Sequence, residues 1–137
     1  MTRRRATAGS NPTPTSHRAI LVPVREPARV IAIDGSLSSH QAVVGGMIEN
    51  VGRMRLVLEG SRIITTWCNA EGYAVLPINR LVLLPRFAGE VYGPILLTAT
   101  NDATGETYSL TDDEIEVCLS IVARWPQLGQ TDAKGPA

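Results

Sequence analysis

Apolar and polar residues alternate in short runs along most of this chain, and apolar positions recur at helical spacing in only two places. Ala19 to Val24 and Arg29 to Ile33 read as strands on either side of a turn around Arg25-Glu-Pro. Pro23 has no amide proton, which predicts an edge or bulged position for the first of them. Further strands are expected over Met54 to Leu58, Arg62 to Trp67 and Tyr73 to Leu76, an antiparallel meander broken where turn residues cluster at Glu59-Gly60 and Asn69-Ala-Glu-Gly72. Leu81 to Leu84 follows, then Val91 to Thr100 with a bulge or bend at Gly93-Pro94. A short strand at Thr107 to Ser109 lies beyond the turn Asn101-Asp-Ala-Thr-Gly105.

The first helical pattern begins after Asp34-Gly35, where Ser36 or Ser38 can cap it. Leu37, Val44, Ile48 and Val51 share a stripe that Val43 and Met47 widen, which predicts a helix to about Val51. Gly45-Gly46 falls inside it at about 1 kcal/mol per glycine relative to alanine, a cost that close approach to a sheet, or else a kink, would explain. The second pattern is sharper. Thr111 with Glu114 makes a capping box, Leu110 with Ile115 a hydrophobic staple, and Ile115, Cys118, Leu119, Val122 and Trp125 recur until Pro126 ends the helix. Two one-striped helices among short strands imply an α+β fold, a mostly antiparallel sheet of about five to seven strands with both helices on one face. The chain has too few crossover helices for a doubly wound parallel sheet.

Composition sets the boundaries. Residues 1–17, rich in Thr, Ser, Pro and Arg, read as a disordered basic arm; residues 18–125 as the single domain; and residues 126–137 as a disordered tail. An apolar fraction of 44% with 19% charged residues suits a globular core. Nine basic and twelve acidic residues between Arg18 and Trp125 leave the domain near −3, without the basic footprint of a nucleic-acid binder or the acid excess of a DNA mimic. Nucleic acid is left only the Arg3-Arg4-Arg5 arm, so a protein partner is favoured. No apolar stretch follows that triplet and no long apolar run occurs, so neither export nor a membrane span is expected, and the default compartment is the cytoplasm.

Chemistry-bearing patterns are sparse. Nucleophile elbows, phosphate loops, dinucleotide fingerprints and zinc spacings are missing, so no catalytic residue, cofactor or metal is assigned. Cys68 and Cys118 read as reduced core thiols, and His17 and His40 as ordinary histidines. Asp112, Asp113 and Glu114 complement a helix dipole, with Glu116 beside them. Arg62, Arg80 and Arg86 have the geometry to hold a carboxylate or phosphate, although strand-end arginines commonly have no such role. The turn Asn69-Ala70-Glu71-Gly72 and the pair Asn79-Arg80 crowd polar residues into a loop region. They serve either the turn's own backbone or a contact surface.

The same segments resemble a family known as domain of unknown function 3846, found in phages, plasmids and bacterial chromosomes. The likeness rests on Val30-Ile-Ala-Ile-Asp-Gly-Ser-Leu37, on Gln41 with Val44-Gly-Gly-Met-Ile-Glu49, on Cys68-Asn-Ala-Glu-Gly72, on Leu76-Pro-Ile-Asn79, and on Ser109-Leu-Thr-Asp-Asp-Glu-Ile115. Where the family pattern has two acidic residues, this chain has Ala70 before Glu71. The resemblance implies a mobile-element setting and no particular reaction. Asn69, Glu71, Gly72, Asn79, Arg80, Gln41 and Glu49 are therefore candidate contact residues for a macromolecular partner. The alternative is a small-ligand sensor or enzyme in which the polar ones converge on a pocket around Asn69, Glu71 and Asn79.

Overall fold

The computed structural model describes residues 16–56 and 60–128. β1 (His17–Val22) and β2 (Arg29–Ile33) form a hairpin, α1 (Leu37–Val44) follows, and β3 (Ile48–Met54) with β4 (Arg62–Asn69) forms a second hairpin. After the single-turn helix α2 (Gly72–Val75) comes a third hairpin, β5 (Ile78–Leu84) with β6 (Phe87–Tyr92). β7 (Ile95–Asn101), β8 (Thr107–Tyr108) and α3 (Asp112–Val122) complete the order. The main sheet runs β2-β1-β7-β4-β3 with β8 also beside β7, and β5-β6 is a separate two-stranded sheet. Every described strand pair is antiparallel, so the fold is α+β.

β7 occupies the centre because its sequence can be buried on both sides: Ile95 through Thr100 are all buried. Ile95, Leu97 and Ala99 face a core shared with Val82 and Val91 of the small sheet, Cys118 and Val122 of α3, and Trp125. Leu96 points the other way, into a smaller cluster with Ala19, Ile33 and Val44 beneath α1. The two main helices thus cover opposite faces, where both were expected on one. The period of two along β7 means that both of its faces need cover, since adjacent residues cannot share a face.

Four local readings change. α1 stops at Val44 rather than near Val51, because Gly45 adopts φ 85 and the amides of Gly45 and Gly46 both return to the Gln41 carbonyl. Ile48 and Val51 then belong to β3. The expected close approach does occur, but outside the helix: a Cβ on Gly46 would sit 2.9 Å from Asn69 Nδ2. Tyr73 to Leu76, expected as strand, forms α2 and closes with Leu76 N–H donating to the Gly72 carbonyl. Val91 to Thr100 divides at Gly93, φ 80, and its halves enter different sheets. Pro23 lies just past β1, which is itself an interior strand and neither an edge nor a bulge.

At α3 the capping box forms as expected, with Glu114 N–H donating to Thr111 Oγ1 at 3.1 Å and Thr111 N–H to Glu114 Oε1 at 2.9 Å. The helix ends at Val122, and the buried Trp125 follows in a turn, its indole Nε1 donating to the Leu83 carbonyl at 3.0 Å. Leu81 N–H donates to the Pro126 carbonyl and Leu128 N–H to that of Asn79, so the segment after α3 lines the free edge of β5. Residues 1–15 and 129–137, which hold most of the two expected tails and the whole of the Arg3-Arg4-Arg5 arm, lie outside the described residues.

Burial ranks the substitutions along this C-terminal unit. Trp125→Ala should cost about 3–5 kcal/mol, because a fully buried ring and its hydrogen bond are both lost. The half-buried Leu119 should cost less than the roughly 2–5 kcal/mol of a fully buried leucine truncated to alanine. Thr111→Ala should cost about 1 kcal/mol through the cap. Urea unfolding of the three variants checks the order.

Candidate functional site

The first group of candidate residues meets where α1, β3 and β4 come together. Asn69, at the end of β4, is buried. Its Nδ2 donates to the Val44 carbonyl at 3.2 Å, and its Oδ1 accepts from Glu71 N–H at 2.8 Å. One carboxamide therefore holds both the end of α1 and its own Asx turn. Gln41 supplies the carbonyl that ends α1, and the exposed Glu49 pairs through its backbone with Cys68. Gly72 is buried so tightly that a Cβ there would lie 2.7 Å from the Tyr92 carbonyl oxygen, while Glu71 beside it is exposed. Ala70 N–H donates to the Met47 carbonyl at 2.7 Å, tying the turn to the segment after α1.

Three exposed apolar residues lie on α2 and on the segment tied to this turn. Tyr73 is 82% exposed, Val75 73% and Met47 63%, although all three are large hydrophobic residues. The Tyr73 ring stands edge-on to Tyr92, with centroids 5.4 Å apart, so it is held in place while its outer face meets water.

The second group is buried. Asn79, fully inaccessible, donates through Nδ2 to the carbonyls of Val22 at 2.9 Å and Gly93 at 2.8 Å, and its Oδ1 accepts from Arg80 Nη1 at 2.6 Å. Arg80, 2% exposed, also donates through Nη1 to the Pro23 carbonyl at 3.2 Å and through Nη2 to that of Glu26 at 2.8 Å. These carbonyls flank Arg25, whose φ of 62 is a left-handed conformation that a side chain disfavours, so Arg80 braces a strained turn. Burial pulls the guanidinium's pKa below its ordinary value.

Tyr92-Gly93 separates the two groups, Gly72 abutting one residue and Asn79 binding the other. The Asn69 carboxamide bonds the Val44 carbonyl and the Glu71 amide, and the Asn79 carboxamide bonds the Val22 and Gly93 carbonyls. Arg80 lines a large groove, about 560 Å³, with Ala28, Leu119, Val122, Trp125 and Gln127 among its other walls. Sequence reasoning missed Met47, Val75 and these groove residues. Extending α1 through Gly45-Gly46 had assigned Met47 to a buried stripe, and no local pattern announces that Trp125 follows its helix rather than ending it.

Arg62 and Asp112 have structural partners. Arg62 grips Glu114 with Nε at 2.9 Å and Nη2 at 2.7 Å, its guanidinium 4.8 Å from the Tyr108 ring centroid. That contact holds the Glu114 carboxyl below the usual carboxylate range and raises the arginine. Asp112 pairs with Arg18 at 2.7 Å. Burial pushes the thiol of Cys68 up to about 11 and that of Cys118 to about 12, so neither is a thiolate near neutral pH. Among the described residues no group of three His, Cys, Asp or Glu side chains could hold a metal ion, and no helix is long and apolar enough to cross a membrane.

His40 is buried, edge-on to Trp67 at 5.4 Å, and its Nδ1 has no hydrogen-bond partner. Burial pulls its pKa below 6.5, opposed by the Ser36 backbone and the Asp34 carboxylate. The unfolded chain therefore binds the proton first as pH falls, so stability is complete above about pH 6.5 and declines below it. Replacing His40 with Phe should flatten the change in urea midpoint between about pH 8 and about pH 5.5, a window above the carboxylate titrations. At the other site, Asn79→Leu strands the Val22 and Gly93 carbonyls and should cost about 2–4 kcal/mol. Asn79→Asp should cost more, because it turns an acceptor toward two acceptors. Chemical denaturation ranks the pair.

A family model described as "Domain of unknown function (DUF3846)" matches residues 17–124. No curated protein and no solved structure matches the chain.

Proposed function

The chain belongs to the domain of unknown function (DUF3846) family, and from that premise we propose that it is a cytoplasmic accessory protein of a phage, plasmid or other bacterial mobile element that acts by binding a partner protein. The observation that carries this reading is the exposure of Tyr73 and Val75 on α2, directly after the turn fixed by Asn69, and of Met47 on the segment to which Ala70 N–H ties that turn. Large apolar side chains held rigid in water cost little ordering entropy when a partner covers them, and aromatic anchors of this kind dominate binding energy. The rim supplies Glu49 and Glu71, both exposed, and no basic side chain between residues 67 and 79. That charge disfavours nucleic acid and fits a protein with an apolar pocket and a cationic border. Asn69 and Gly72 are then the frame of the contact, and Glu71 part of its surface.

A photo-crosslinking side chain at Val75 of the full chain, expressed in the bacterium that carries it, should give a discrete adduct with one protein. The same group at Val117 on α3 should not, and Tyr73→Ser should reduce the Val75 adduct by about tenfold or more. Equal adducts at both positions, adducts with a second copy of this chain alone, or indifference to Tyr73→Ser would each overturn the reading.

A further inference from the structure

Arg80 differs from the other paired arginines in what faces its charge. Arg18, Arg29, Arg53, Arg55 and Arg62 each have a carboxylate within 4 Å and sit at least partly in solvent. Arg80 is 2% exposed, and its partners are three uncharged oxygens, those of Pro23, Asn79 and Glu26. Among the described residues no carboxylate reaches it, although buried charges are ordinarily paired. Both Nη1 hydrogens have acceptors and one Nη2 hydrogen has one. The Nε hydrogen and the second Nη2 hydrogen are left without a partner there. Nε and Nη2 share one edge of the guanidinium, the edge that holds a carboxylate through two parallel hydrogen bonds.

The same residue forms part of the wall of the groove of about 560 Å³ between α3 and the β1–β2 turn. That volume lies within the range of small-molecule sites, and the walls are mostly apolar, from Ala28, Leu119, Val122 and Trp125, with the Gln127 amide at the margin. We propose that this groove binds a small organic carboxylate with an apolar body, its carboxylate gripped side-on by Nε and Nη2 of Arg80 and its body lying against Trp125 and Leu119. The anion supplies the charge that the fold leaves out, and the apolar walls favour a hydrocarbon or aryl body over a bare inorganic ion. This site is separate from the Tyr73 corner and stands or falls independently of it.

The test is a titration of the full chain, followed by NMR, with monocarboxylates from acetate to 4-phenylbutyrate, with 4-phenylbutyramide and inorganic phosphate as controls. Saturable shifts of Arg80 Nε–H, the Trp125 indole and the Leu119 methyls by 4-phenylbutyrate are expected, with the amide at least about tenfold weaker. Arg80→Lys should weaken binding by a similar factor through loss of the fork. Because Arg80 also braces a turn, Ala123→Trp provides the second variant: Ala123 is an exposed groove residue in ordinary helical geometry, and a large ring there blocks the groove without entering the core. It should abolish the shifts while leaving the urea midpoint near the parent's. Absence of saturable shifts, equal binding of acid and amide, binding of phosphate alone, or unimpaired binding by Ala123→Trp would each overturn the proposal.

Discussion

The Asn79 carboxamide joins elements that hydrophobic burial alone would leave free to slide. Its two donors hold the end of β1 at Val22 and the junction between β6 and β7 at Gly93, while its backbone carbonyl receives the amide of Leu128 after α3. The small sheet meets the large one at this point, and a nonpolar contact between them would be satisfied in several registers. A buried amide with two specific acceptors is satisfied in one. Arg80 extends the same network to Pro23 and Glu26, so the β1–β2 turn, the small sheet and the C-terminal segment share one set of bonds. The core can then be filled by plain aliphatic residues, with Val82, Val91, Leu97 and Val122 supplying burial rather than specificity.

Glu114 does comparable work at the other end of α3. Its carboxylate accepts from Thr111 N–H within the cap and from Arg62 on β4, so the start of the helix is positioned against the sheet by the group that also completes its first turn. The carboxyl is held below its ordinary pKa, so this tie is intact above the carboxylate range and weakens only as acid protonates it. Acidic residues that look like a candidate site in one dimension are here a helix terminus and its anchor.

The sequence made the α+β class legible because its two patterns are unambiguous where they are local. The Thr111-Glu114 box and the short β-branched run Arg29 to Ile33, bounded by turn residues, are each decided within a few residues. What misled was coincidence of period. Val44, Ile48 and Val51 fit a helical stripe, yet Gly45 and Gly46 end the helix and two of those three enter a strand. The placement of the helices on opposite faces was illegible for a different reason. It depends on β7 being inserted between β1 and β4, a pairing between distant parts of the chain that no local pattern encodes. Arg80 could be singled out as an arginine with anion-binding geometry, but its burial, its neutral partners and the groove beside it arise only when residues near 25, 80 and 125 meet.

Polar side chains drew attention in the turn and the Asn79-Arg80 pair because recognition commonly uses them, and the fold spends most of them internally. Asn69 and Asn79 are the same residue type in the same role, each turning a carboxamide toward backbone carbonyls that would otherwise be buried without partners. Once those amides are committed, they have little left to offer a ligand. What is exposed beside them is instead apolar, Tyr73 and Val75 on α2 after the turn and Met47 on the segment bonded to it. Satisfying the turn internally removes the entropy cost of ordering it later, so an apolar contact made there keeps more of its free energy as affinity.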